Sequence, residues 1–61
     1  MDRYEIELAV CNGLNGKFIG LLTLYVDGVN EKMAIEVAEI QAAAMLTTPY
    51  FVTVNGTKIV D

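Results

Sequence analysis

Neither histidine nor tryptophan occurs in this sequence, cysteine and proline occur once each, and four residues in all are basic. Each shortage excludes something. Cys11 has no partner for a disulfide within the chain, and without histidine or a second cysteine no structural zinc site of the usual composition can form. The basic residues, Arg3, Lys17, Lys32 and Lys58, are scattered among eight acidic ones, for a net charge of −4. A nucleic-acid interface needs several phosphate contacts from one basic face, so no nucleic-acid partner is expected. Long apolar runs are also missing. Asp27, Glu31, Lys32, Glu36 and Glu39 break up each candidate stretch before the ~20 residues of a membrane span, so no membrane partner is expected either. Residues 1–5, Met-Asp-Arg-Tyr-Glu, have neither the basic region nor the apolar core of a signal peptide. Together with an unpaired cysteine, that points to the cytoplasm.

Apolar residues make up 54% of the 61 positions, enough to favour an ordered core over disorder. A single domain spanning residues 1–61 is the natural reading. A chain this short buries only about 60% of the surface that its unfolded form exposes. Disulfides, metals and association are the usual supports for such small domains. Two are excluded, which leaves association.

Residues 4–11 alternate apolar Tyr4, Ile6, Leu8 and Val10 with Glu5, Glu7 and Ala9, the period of a strand with one buried face. Two Asn-Gly pairs follow in residues 12–16 and read as a hairpin loop. Residues 17–26 are β-branched and aromatic enough for a second strand. Pairing across the loop sets Val10 opposite Phe18, Ile6 opposite Leu22 and Tyr4 opposite Leu24. Ile19 and Leu21 then fall on the outer face, where a solvated sheet would carry polar residues. Asn30 is positioned to cap a helix over 31–46, with Glu31 adding favourable charge in the first turn. Thr47-Thr48-Pro49 ends it. Two further apolar runs, 50–54 and 57–61, flank Asn55-Gly56, the strongest short hairpin signal.

The order is therefore ββαββ: an α+β fold with a four-stranded sheet and one helix across one face, the terminal strands parallel at its centre. A variant with residues 57–61 as a tail gives ββαβ. The element order resembles that of the β-grasp domains. That resemblance implies the fold and, since the fold hosts many activities, no function.

Read at roughly 100° per residue, the helix carries an apolar stripe of Met33, Val37, Ile40 and Ala44, the expected sheet-facing side. Lys32, Glu36 and Glu39 form a narrow polar stripe. A third side holds Ala34, Ala38 and Ala42, flanked by Ile35, Met45 and Leu46. Small residues four apart let another helix approach closely, which suggests a homodimer contact there.

No catalytic, metal or cofactor constellation emerges. Cys11 lacks a base, and Glu5 and Glu7 would raise its pKa. Glu5 and Glu7 have the spacing of paired carboxylates but no third group. Asp27, Asn30 and Glu31 lack the ligand spacing of a calcium loop. The Asn-Gly pairs lack the Lys-Ser/Thr of a phosphate loop.

The sequence thus points to a non-enzymatic protein-interaction module, homo-oligomeric and most simply a dimer. It would act as an adaptor or inhibitor on an unidentified protein partner, with a phage or mobile-element inhibitor as one form. Ile19, Leu21, Tyr25, Ala34, Ile35, Ala38, Ala42 and Met45 are the expected contact residues. The alternative is a small-molecule binder with a pocket between subunits, lined by Tyr25, Tyr50 or Phe51.

Overall fold

A computed structural model describes residues 1–47 and 49–60. Thr48, assigned to the helix stop, and Asp61, assigned to the last strand, lie outside the described residues. Four elements follow one another: β1 (Asp2–Asn12), β2 (Phe18–Gly28), α1 (Glu31–Met45) and β3 (Tyr50–Ile59). The sheet has three strands in the order β2-β1-β3, with β1 antiparallel to both neighbours. The α+β class stands, but the four-stranded, β-grasp-like sheet with parallel central strands does not.

Asn55-Gly56 accounts for the difference. A two-residue hairpin turn of the Asn-Gly type requires positive φ at both positions, yet among the described residues Gly16 alone has one, at 72°. Instead β3 runs straight through. Glu7 pairs with Gly56 and Leu8 with Val54, so Asn55 is an extra residue, a β-bulge. Its side-chain amide donates to the Glu7 carboxylate, which anchors the bulge to the central strand.

The β1–β2 hairpin forms as expected, with two asparagine side chains holding its loop. Asn12 Oδ1 accepts from Leu14 N at 2.8 Å and Asn15 Oδ1 from Lys17 N at 2.9 Å. The register differs from the expected one by two residues: Tyr4 faces Val26, Ile6 faces Leu24 and Leu8 faces Leu22. A slip of two preserves which side chains face inward, so the buried set survives the correction. A second bulge lies in β2, where Val10 pairs with Gly20 and Cys11 with Phe18, leaving Ile19 over.

α1 begins as its sequence dictates, with Asn30 Oδ1 accepting from Met33 N at 2.9 Å. Its sheet-facing side is the reverse of the expected one. Ala34, Ala38 and Ala42 are fully buried against Tyr4, Ile6, Leu8 and Val26, while Met33 and Ile40 remain exposed and Val37 half-buried. The physical reason is close approach. A Cβ added to Gly28 would lie 3.1 Å from Ala34 Cβ, so the helix start rests almost on the backbone at the end of β2, where only a methyl side chain fits. At the other end Ala43 and Leu46 share a pocket with Tyr50, Phe51 and Val52 of β3. The helix therefore crosses the sheet obliquely, from β2 to β3 over the central strand.

Candidate functional site

Two bulges and an oblique helix leave the sheet with two unlike edges and one unlike face. The outer face, away from α1, divides along its length. At one end Arg3 Nε donates to Asp27 Oδ1 at 3.1 Å. Next, Tyr25 O–H donates to Glu5 Oε1 at 3.0 Å, and Lys58 Nζ lies 3.5 Å from Glu5 Oε2. Asn55 and Glu7 complete this polar half. The hydrogen bond to Glu5, and then the negative charge of that carboxylate, raise the Tyr25 pKa above the ordinary tyrosine value. The other half is apolar. Ala9 pairs with Leu21 and Thr53, and Cys11 pairs with Phe18 and Phe51, with Leu21, Phe18 and Phe51 exposed.

The groups considered for chemistry are occupied structurally. Glu5 and Glu7 each hold a cross-strand partner, Asp27 holds Arg3, and Asn30 caps the helix. Cys11 is a half-buried free thiol. Among the described residues no three His, Cys, Asp or Glu side chains gather as a metal site.

The expected contact residues separate into two groups. Ile19, Leu21, Tyr25 and Met45 are exposed. Ala34, Ala38 and Ala42 are covered by the chain's own sheet, with Ile35 half-buried beside them; they are core, and the exposed apolar flank of the helix is Met33 with Ile40. At about 100° per residue, that flank lies on the side of α1 turned away from the sheet, nearly opposite the buried alanines. Sequence periodicity singled out this stripe but assigned it to the core. The signal that identifies it correctly is the alanine spacing itself, since residues without bulk mark the side of closest approach.

The two edges differ in what they offer. Hydrogen-bond direction alternates along a strand. Val60 N donates to Arg3 O and Asn12 N donates to Lys17 O, so odd residues of β1 bond toward β3 and even ones toward β2. Through the β1–β2 register, Leu22, Leu24 and Val26 bond inward to β1, and Leu21, Thr23 and Tyr25 direct N–H and C=O to the free edge. From Gly20 to Gly28 this edge is regular and holds a single charged side chain, Asp27, already paired with Arg3. The β3 edge is interrupted at its middle by the Asn55 bulge, the sort of feature that blunts strand addition.

The surface of the described residues also holds two concavities. One, of about 260 Å³, is lined by Ala43, Leu46, Tyr50, Phe51 and Val52. The other is shallower and lies over Glu5, Glu7, Gly56, Thr57 and Lys58. No helix among the described residues is long and apolar enough to cross a membrane. Neither protein-family models, curated protein sequences nor solved structures contain a significant match to this chain.

Proposed function

We infer that the protein is a non-enzymatic interaction module that works as a homo-oligomer. The observation that carries this is the free edge of β2: a long, regular strand edge with the apolar side chains of Leu21 and Tyr25 exposed on the outer face beside it. An open edge of this kind is a template for pairing with another chain. Small domains with exposed apolar surface gain stability by covering it. In this reading the apolar end of the outer face, around Phe18 and Phe51, receives a foreign protein, which makes the assembly an adaptor or inhibitor. The free thiol of Cys11 suits a reducing compartment such as the cytoplasm. Sedimentation velocity over a concentration series tests self-association. A single monomeric species at tens of micromolar sinks it.

A second reading, binding of a small apolar molecule, is favoured by the pocket between the end of α1 and β3, where Tyr50 supplies an aromatic wall beside Leu46 and Val52. It ranks second because the volume, about 260 Å³, falls under the ~300 Å³ at which drug-sized sites begin. A ligand retained through purification, whose removal lowers the melting temperature, would reverse the order.

A further inference from the structure

We propose that two copies pair antiparallel through their β2 edges, about a two-fold axis at Thr23, to give one continuous six-stranded sheet. This rests on the self-association read above and adds the partner, the edge and the register.

The two-fold fixes most of the geometry. In an isologous antiparallel pair the axis passes through a pair of identical residues that either exchange both backbone bonds or exchange none. The outward-directed groups belong to Leu21, Thr23 and Tyr25, so an axis at an odd residue supplies the bonds. An axis at Thr23 makes hydrogen-bonded pairs of Thr23 with its mate and of Leu21 with Tyr25 in both directions, about six backbone hydrogen bonds. Both members of each pair fall in the regular stretch that starts after the Ile19 bulge. An axis at Leu21 would run into that bulge. An axis at Tyr25 would bring the two Tyr25–Glu5 pairs face to face, setting carboxylates of an acidic chain against each other. With Thr23 central, the two Tyr25 residues are about 14 Å apart along the seam, at about 3.4 Å per residue.

A second copy fits better than an unrelated strand because each side of the seam matches itself. On the outer face Leu21 meets Tyr25 twice, with Thr23 against Thr23 between them, and no charge enters the middle of the seam. Asp27, neutralised by Arg3 at 3.1 Å, falls opposite Ile19 at either end. On the helix side Leu22 meets Leu24 twice. Gly20, where an added Cβ would touch nothing within 4 Å, leaves room beside the partner's Val26. Pairing thus covers in one step the apolar residues that flank this edge.

Cysteine cross-linking reads the register directly. In a Cys11→Ser background, Thr23→Cys places two thiols on residues with Cα atoms about 5.5 Å apart, inside the ~4.4–6.8 Å range of disulfides. Leu21→Cys places its pair about 14 Å apart along the strands. The expected result on a non-reducing gel is a covalent dimer for Thr23→Cys and none for Leu21→Cys. Thr23→Pro supplies the second arm. It removes an N–H directed at the free edge and leaves the β1 ladder intact. It should weaken dimerisation at least tenfold with an unchanged circular-dichroism spectrum, whereas Leu24→Pro, which removes a β1 bond, should unfold the chain. A dimer that cross-links through Leu21→Cys, or one untouched by Thr23→Pro, overturns the register while self-association stands. A wild-type monomer overturns both. Should Thr23→Pro fail to fold, the cysteine pair alone decides.

Discussion

Exchanging the expected and observed faces of α1 has a measurable consequence at Ile40 and Ala38. Ile40 is 70% exposed and Ala38 fully buried. Burying an isoleucine completely contributes about 1.5–3 kcal/mol. The roughly one-third of Ile40 that folding hides therefore contributes less than about 1 kcal/mol. Alanine returns a few tenths of a kcal/mol as a better helix former. Ile40→Ala should thus leave the monomer's stability within about 0.5 kcal/mol of wild type. Ala38→Leu should behave oppositely. It forces extra carbons between the helix and Ile6 and Leu8, at a cost of about 1–3 kcal/mol. At 4–8 °C per kcal/mol for a domain of this size, the melting temperature should drop by roughly 5–20 °C. The assay is urea and thermal unfolding followed by circular dichroism, at the lowest concentration that gives signal so that association does not contribute. Were Ile40 the sheet-facing residue, its truncation would cost about 2–5 kcal/mol. A large loss at Ile40 with a neutral Ala38→Leu would refute the packing described above.

Three further outcomes follow from particular contacts. Gly56→Ala should be neutral or stabilise by about 0.5 kcal/mol, because Gly56 has no positive φ and its Cβ site is open; a loss above about 1 kcal/mol in urea unfolding would restore the hairpin turn. Gly13→Ala should destabilise by about 1–3 kcal/mol, since Gly13 N donates to Pro49 O at 2.7 Å and an added Cβ would collide with that carbonyl; loss of protection at the Gly13 amide in hydrogen exchange checks the cause. Tyr25 should ionise at higher pH than a free tyrosine, and Glu5→Gln should bring its midpoint down in an ultraviolet titration. The folded pKa lies above the unfolded one, so the stabilisation is complete below the unfolded value of about 10 and fades as pH rises through the folded value. Stability that is flat across that range, or unchanged by Glu5→Gln, would contradict the hydrogen bond.

What the sequence made legible was what periodicity records. The alternation Tyr4-Ile6-Leu8-Val10 identified the inner face of β1, and because strand faces repeat every two residues, that set survived a wrong register. Asn30 as a cap was equally local and equally readable. The misreadings came where two local meanings share one spelling. Asn-Gly serves a tight turn or a bulge, and what decides is whether Glu7 is available across the strand to hold Asn55, a contact 48 residues distant in sequence. Alanine serves an exposed helix or the closest approach of helix to sheet, and what decides is Gly28 beneath Ala34. Ranking stripes by hydrophobicity favoured Met33 and Ile40 over the alanines, although shape and not greasiness selects the face here. Of the candidate contact surface, Leu21 was visible as an apolar position on an outer face, and Tyr25 was named as a contact without being assigned to a face. The free edge they border required knowing that β1 is central.

The central place of β1 also sets the order in which the sheet can be completed. Its two neighbours are separated along the chain by the whole of α1, and Tyr4 must find Ile59 to close the second ladder. Contacts this remote carry a loop-closure cost that the β1–β2 hairpin does not. On a ribosome the hairpin and helix emerge first, and the β3 side of β1 stays bare until the last strand has been made. During that interval the open edge of β1 faces solvent, beside a helix not yet tethered at its far end. Synthesis rate and local chain density, more than final stability, would then govern how much of the protein reaches its native sheet.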